Sequence, residues 1–267
     1  MARFYRLFVL STIMFLGVVT NVFAGMDSST LERIQKSGQL VLGTSGNMPS
    51  MTQLDADGNL SGFDIDMANM MAGVMGVELV TKVMPFGELI PAIKEGKVDV
   101  VISNMTITPK RNLEVAFVGP YMISGKCIVT KNETLAQEEA PESMNIPETS
   151  LAVLKGSTSE DVARQLYVNA KVVTVDSLLD AAEMVKNDEV SGMLADYPIC
   201  AATLKANPEA GFVTLFSLLT YEPIGIALPA NDAQFINWTQ NFLHRLDGTD
   251  TLTILSERWL GMGVLER

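Results

Sequence analysis

The 267-residue chain contains one histidine and two cysteines. His244, Cys127 and Cys200 have none of the spacings of a known metal site, so no metal and no other cofactor is expected. His244 falls in an amphipathic helical pattern and reads as a surface or half-buried side chain. Cations are also scarce, with 19 Lys and Arg against 31 Asp and Glu. That balance disfavours nucleic acid and anionic membrane surfaces as partners. It leaves room for a small anion held by one buried arginine. Long apolar runs are missing everywhere except the N-terminus, where LFVLSTIMFLGVV follows Arg3 and Arg6 and precedes Val22-Phe23-Ala24. This is the pattern of a secretory signal peptide over residues 1–24, too short and wrongly flanked for a spanning helix. No cysteine follows the cleavage site to carry a lipid anchor. The mature chain is therefore expected to be soluble, exported and periplasmic.

Without Arg3 and Arg6 the mature chain keeps 17 basic residues against 31 acidic ones, a formal charge of −14. Its length, about 240 residues, suffices for a large core or for two lobes. The 16 methionines fall mostly in apolar patterns and read as core filling rather than as a metal or groove feature. In an oxidising compartment Cys127 and Cys200 could form a disulfide, but the sequence does not show that they meet.

Strand and helix patterns alternate along the chain. Ser29-Thr30-Leu31-Glu32 is a capping box for a helix ending at Gly38, followed by a strand over 39–44. Asp64 is placed to cap a helix running to Met75, with Phe63 entering the core. A strand over 77–84, a helix over 86–95 and a buried strand over 98–103 follow. The rhythm breaks at Gly119-Pro120-Tyr121 and again at Leu219–Pro223. Between the breaks lie a strand over 126–130, an acidic loop over 131–149 read as a solvated excursion, and further βα units to residue 216. A strand over 224–228 and two helices over 232–246 and 250–260 close the chain. Such alternation implies mainly parallel sheets covered by helices. Two breaks imply two lobes joined by two crossings, able to close about a ligand by a hinge.

Open α/β sheets bind ligands beyond the carboxyl ends of their strands. Four of these ends are polar or aromatic: Thr44 to Met51, Pro85-Phe86, Ser103 to Arg111, and Asp196-Tyr197-Pro198. Thr108-Pro109 reads as a helix start, N-cap then proline, which puts Lys110 and Arg111 in a first turn where the helix dipole disfavours cations. A fifth end, Gly156-Ser157-Thr158-Ser159-Glu160, reads either as an ordinary capping box or as an anion-receiving turn. Taken singly, Arg111 could be a surface partner of Glu114, and Asp196 a plain helix cap. Taken together, an arginine fork for a carboxylate and a buried aspartate for an ammonium describe a zwitterionic α-amino acid.

The segments LVLGTSGNMP, DGNLSGFDIDMA, PFGELIPAIKEGKVDVVISNMTITPKR, LKGSTSE, GMLADYP, YEPIGIALP and SERWLG cover nearly all of the mature chain. Together they resemble extracellular solute-binding proteins of the polar amino-acid type (family 3), which serve ABC transporters. The resemblance implies a type II periplasmic binding protein fold, α/β, with lobe 1 over 25–121 plus 221–267 and lobe 2 over 122–220. It implies a monomer that captures a small ligand and presents it to a membrane permease. Arg111 would clamp the ligand carboxylate, Asp196 would hold the ammonium, and Ser103, Asn104 and Thr106 would line that strand end. Ser157 and Thr158 would contribute from the second lobe, and Phe86 and Met48 would flank the ligand side chain. The family's aromatic-rich segment is replaced here by Met48-Pro49-Ser50-Met51. Ser45 stands where relatives that bind cationic amino acids carry an acid. Both point to a neutral ligand side chain.

Two other classes are compatible with the pattern. Periplasmic cyclohexadienyl (arogenate/prephenate) dehydratases share it, but place a carboxylate three positions after the residue matching Asp196. Here that position is Ile199, which cannot donate a proton. A ligand-sensing module serving a separate receptor is the other.

Overall fold

Ser29 opens the first helix as its capping box requires, its Oγ accepting from the Glu32 amide at 3.2 Å. The computed structural model describes residues 29–134, 141–215 and 220–261. The signal peptide, Glu138 and Glu139 of the acidic loop, and Leu219 at the second break lie outside them. In chain order the first elements are α1 (Thr30–Ser37), β1 (Gln39–Thr44), β2 (Asn47–Met48), β3 (Thr52–Leu54), β4 (Leu60–Ser61), α2 (Phe63–Met75) and β5 (Glu78–Val83). A 3-10 turn over Phe86–Glu88 leads into α3 (Leu89–Lys94), then β6 (Val100–Val101), α4 (Pro109–Asn112) and β7 (Ala116–Ser124). The middle of the chain holds β8 (Lys126–Thr130), β9 (Ser150–Leu154), α5 (Thr158–Leu166), β10 (Lys171–Val175), α6 (Leu178–Lys186), β11 (Gly192–Asp196), α7 (Tyr197–Ala206) and β12 (Val213–Leu215). It closes with β13 (Glu222–Leu228), α8 (Ala233–Gly248) and α9 (Thr251–Leu260).

These elements build the two lobes of the type II periplasmic fold. One sheet has the order β5-β1-β6-β13-β7, the other β10-β9-β11-β8-β12, and β2-β3-β4 form a small third sheet. Each large sheet is mixed rather than mainly parallel. β1 runs parallel to β5 and β6, while β13 is antiparallel to β6 and β7. In the second sheet β9 runs parallel to β10 and β11, while β8 is antiparallel to β11 and β12. The antiparallel strands are those that begin or end at the crossings. β7 passes into β8 through Gly125 alone, and β13 returns the chain to the first sheet.

Local chemistry explains the boundaries. Gly38 and Gly76 end α1 and α2 in the left-handed conformation that glycine adopts without penalty. The strand expected over 98–103 is paired only at Val100–Val101, because the polar residues after it turn away to the cleft. Asp64 does not cap α2: Gly62 occupies the N-cap position and no side chain caps it. The fully buried Asp64 carboxylate instead accepts from Tyr121 Oη at 2.8 Å and from the Asn104 amide at 2.6 Å. Phe63 enters the core and stacks on Tyr121, ring centroids 5.8 Å apart.

Met51, Met67, Met71 and Met193 are fully buried among aliphatic neighbours, so methionine fills the core. His244 lies on α8 and is exposed. Cys127 and Cys200 are joined as a disulfide, tying the start of β8 to the middle of α7. No described helix is long and apolar enough to cross a membrane.

Candidate functional site

The two lobes meet through side chains that reach across the cleft. Asn47 Nδ2 donates to the Asp176 carbonyl at 2.5 Å, and Asn104 Nδ2 donates to Asp196 Oδ2 at 2.8 Å. Gly156 adopts φ +77°, and a Cβ there would lie 3.0 Å from the Gly87 Cα of the other lobe. Only glycine allows both the backbone conformation and that approach. Only a small cavity, about 10 Å³, remains between the lobes.

Eight of the nine residues singled out from the sequence line this pocket: Met48, Phe86, Asn104, Thr106, Arg111, Ser157, Thr158 and Asp196. Ser103 does not. It is buried behind the wall, its Oγ accepting from the Ser45 amide at 3.0 Å and donating to Ser45 Oγ at 3.2 Å. Ser45 also meets Thr52 Oγ1 at 3.3 Å and lies outside the lining, so it braces the β1 loop. Met51 is core, which leaves Met48 as the methionine of its segment that lines the pocket, as Phe86 does.

Thr108 caps α4 as its sequence requires, its Oγ1 accepting from the Arg111 amide at 3.1 Å. That helix is a single turn, so the macrodipole penalty on a cation there is small. Arg111 does not pair with Glu114, which accepts from Lys94 at 2.7 Å. Its guanidinium donates to the carbonyls of Thr106 at 2.8 Å and Gly156 at 3.2 Å, and stacks 5.4 Å from the Phe86 ring centroid. Burial lowers the Arg111 pKa from its ordinary value, partly offset by Asp196, Asp161 and Glu222. Ser157 caps α5, accepting from the Glu160 amide at 3.3 Å, while Glu160 reaches back to the Gly156 amide at 2.8 Å.

Asp196 is the N-terminal neighbour of α7 but makes no side-chain cap bond. It faces Lys126, its antiparallel register partner at the start of β8. Lys126 Nζ makes an ion pair and hydrogen bond with Asp196 Oδ1, donates to Thr158 Oγ1 at 2.7 Å, and lies 3.4 Å from Glu222 Oε2. The Thr158 hydroxyl donates in turn to Glu222 Oε2 at 3.0 Å and lies 3.2 Å from Thr106 Oγ1. Burial pushes the Glu222 pKa up, but Lys126 and the hydroxyls of Thr220, Thr106 and Thr158 outweigh it and hold Glu222 below the usual range. Asn104, held at φ +46° by Asp64 behind it, presents a buried Oδ1 with no hydrogen-bond partner.

Lys126, Glu222 and Asp64 were not singled out as site residues. Lys126 and Glu222 stand at the amino ends of β8 and β13, where a search of strand carboxyl ends does not look. A lone charge opening each apolar run, KCIVT and EPIGIAL, was the available signal. No group of three or more His, Cys, Asp or Glu placed to hold a metal occurs among the described residues.

The profile of bacterial extracellular solute-binding proteins, family 3, matches residues 40–262. ABC transporter arginine-binding protein 1 of Escherichia coli K12 is 27% identical over 81% of this chain and 88% of its own length. The cyclohexadienyl dehydratase of Pseudomonas aeruginosa is 24% identical over 87% of this chain and 86% of its own. The crystal structure of an ancestral amino acid-binding protein, a precursor of cyclohexadienyl dehydratase, superposes with a TM-score of 0.81 at 33% identity. It covers 87% of this chain and all of that one. The chain belongs to the bacterial extracellular solute-binding proteins, family 3.

Proposed function

We propose that this protein captures a small α-amino acid with an uncharged side chain between its lobes and delivers it to an ABC transporter permease. It acts as a periplasmic monomer, released from a signal peptide over residues 1–24. Residues 25–121 with 221–267 form one lobe and 122–220 the other. The observation that carries this reading is Asn104 Oδ1, a buried acceptor without a partner, beside the Asp196 carboxylate and in the same pocket as Arg111. An unmet buried acceptor costs about 1–3 kcal/mol, and a ligand ammonium meeting it removes that cost.

Arg111 commits two donors to main-chain carbonyls, and its other N–H groups serve the ligand carboxylate bidentately. Asp196 accepts from Lys126 and Asn104 and, as a carboxylate, has lone pairs left for an ammonium. Phe86 and Met48 flank the side chain, and Thr106, Ser157 and Thr158 complete the wall. Arg111 and Lys126 balance Asp196 and Glu222, which supports a ligand of no net charge.

The dehydratase relative raises catalysis as the competing reading. Ile199 is fully buried in α7 and outside the lining, so that position holds no acid. Glu222 is held ionised, which disfavours it as a proton donor. The test is a thermal-shift screen of amino acids and related carboxylates. A ligand at 100 times its Kd adds about 2.7 kcal/mol, roughly 5–10 °C for a chain of this size. If only carboxylates lacking an ammonium shift the melting point, the reading fails. Release of phenylpyruvate or phenylalanine from prephenate or arogenate would move the protein to the enzymes.

A further inference from the structure

A lysine is almost never fully buried unless it is paired. The Lys126 side chain has no solvent exposure, and its ammonium faces three oxygens, those of Asp196, Thr158 and Glu222. Two of its three donors are met by hydrogen bonds to Asp196 and Thr158, and the Glu222 carboxylate 3.4 Å away adds a second opposite charge. Arg111 and Asp196 line the pocket, and Lys126 and Glu222 stand behind Asp196 and Thr158, giving two cations against two carboxylates. Asp161 also acts on Arg111 but is solvent-exposed and screened, and Asp64 is buried behind Asn104, where burial favours its protonated form. Without Lys126 the same walls would carry one net negative charge, a balance suited to a ligand bearing one net positive charge. A named relative is an arginine-binding protein.

We propose that Lys126 is a built-in counter-cation that sets the charge class of the ligand. It supplies from inside the protein the positive charge that a cationic amino acid would otherwise bring to Asp196 and Glu222. The pocket then accepts a zwitterion with an uncharged side chain and rejects arginine and lysine. In a site closed off from water, an extra ligand cation meets Arg111 and Lys126 without a free carboxylate and with little screening. This inference rests on the α-amino-acid reading above and adds the residue that decides among amino acids.

The test is calorimetric titration of L-glutamine, L-arginine, L-lysine and L-glutamate into the full mature chain and its variants. The wild type is expected to favour L-glutamine over both cations by about tenfold or more. Lys126→Gln should raise the ratio of cation to glutamine affinity by at least about tenfold. Glu222→Gln, which leaves one net positive charge, should shift the preference toward L-glutamate by a similar factor. It reads the same balance from the other side if Lys126→Gln does not fold. Lys126→Gln combined with Glu222→Gln should restore the wild-type order. Selectivity within about twofold of wild type in every folded variant overturns the inference and leaves the amino-acid reading standing. So does a wild type that binds the cations as tightly as glutamine. A wild type that binds no α-amino acid in the thermal-shift screen overturns both.

Discussion

Asn104 and Asp196 hold each other across the cleft, Nδ2 to Oδ2 at 2.8 Å, and the same asparagine leaves its Oδ1 unpartnered in the buried pocket. The bond fixes which way the amide points: with Nδ2 donating to the carboxylate, the other end of the amide, the buried Oδ1, is an acceptor. Asparagine also tolerates the left-handed φ of +46° that this position requires.

Asn104→Gly keeps that backbone conformation and removes both amide groups. The account expects it to weaken α-amino-acid binding by about 1.5–3 kcal/mol, the worth of a hydrogen bond to a charged group. A deaminated analogue that binds at all should lose much less. Titration of the pair against the variant and the wild type checks this, and equal losses for both would remove Asn104 from ammonium recognition.

Arg111→Ala should abolish the ligand-induced rise in melting temperature. Its loss of apo stability should be no more than about 1–2 kcal/mol, since the bonds to the Thr106 and Gly156 carbonyls are each worth about 1. Arg111→Lys should not rescue binding, because a point charge does not reproduce a planar fork stacked on Phe86. Denaturant melts of the apo variants separate the two effects.

Asp64 gives the stability curve a slope of unusual sign. Burial pushes its pKa up to about 7, although Tyr121 and the Asn104 amide pull it down. Between its unfolded value of 3.8 and about 7 the folded state binds more protons than the unfolded state, so stability is full at low pH and falls as pH rises. The fall from pH 5 to pH 7 is about 2 kcal/mol. Asp64→Asn should flatten that window. Equilibrium denaturation at several pH values measures it, and an unchanged slope would assign the titration to another group. Glu222 acts in the opposite sense between its lowered folded value and its unfolded value of 4.5, below the pH 5 to 7 range.

Much of this site was legible from residue types and order. Thr108-Pro109 announced a helix start, and an arginine there signalled a charge with something to do. The polar ends of the strands leading to Asn104, Thr158 and Asp196 are the ones the fold brings together at one pocket. What escaped depended on register. Lys126 reaches Asp196 because β8 and β11 are antiparallel partners at that position, and Glu222 reaches Lys126 because β13 begins beside the same crossing. Neither pairing is written in local periodicity. Asp64 was misread because a carboxylate near a helix start usually caps it. Here Gly62 takes the cap position, and the carboxylate turns inward to hold Tyr121 and the Asn104 loop. The disulfide was an open question for the same reason, since the 73 residues between the cysteines carry no sign of whether their ends meet.

The proposed site takes an α-ammonium and an α-carboxylate together. This is tested most directly by titrating one uncharged α-amino acid, the tightest found by thermal shift, and its 2-hydroxy analogue into the mature wild-type chain. The account predicts one site per chain for the amino acid and a loss of about a hundredfold or more for the analogue, which cannot satisfy Asp196 and Asn104 Oδ1 with a charged donor. Equal affinity for the two compounds would contradict it.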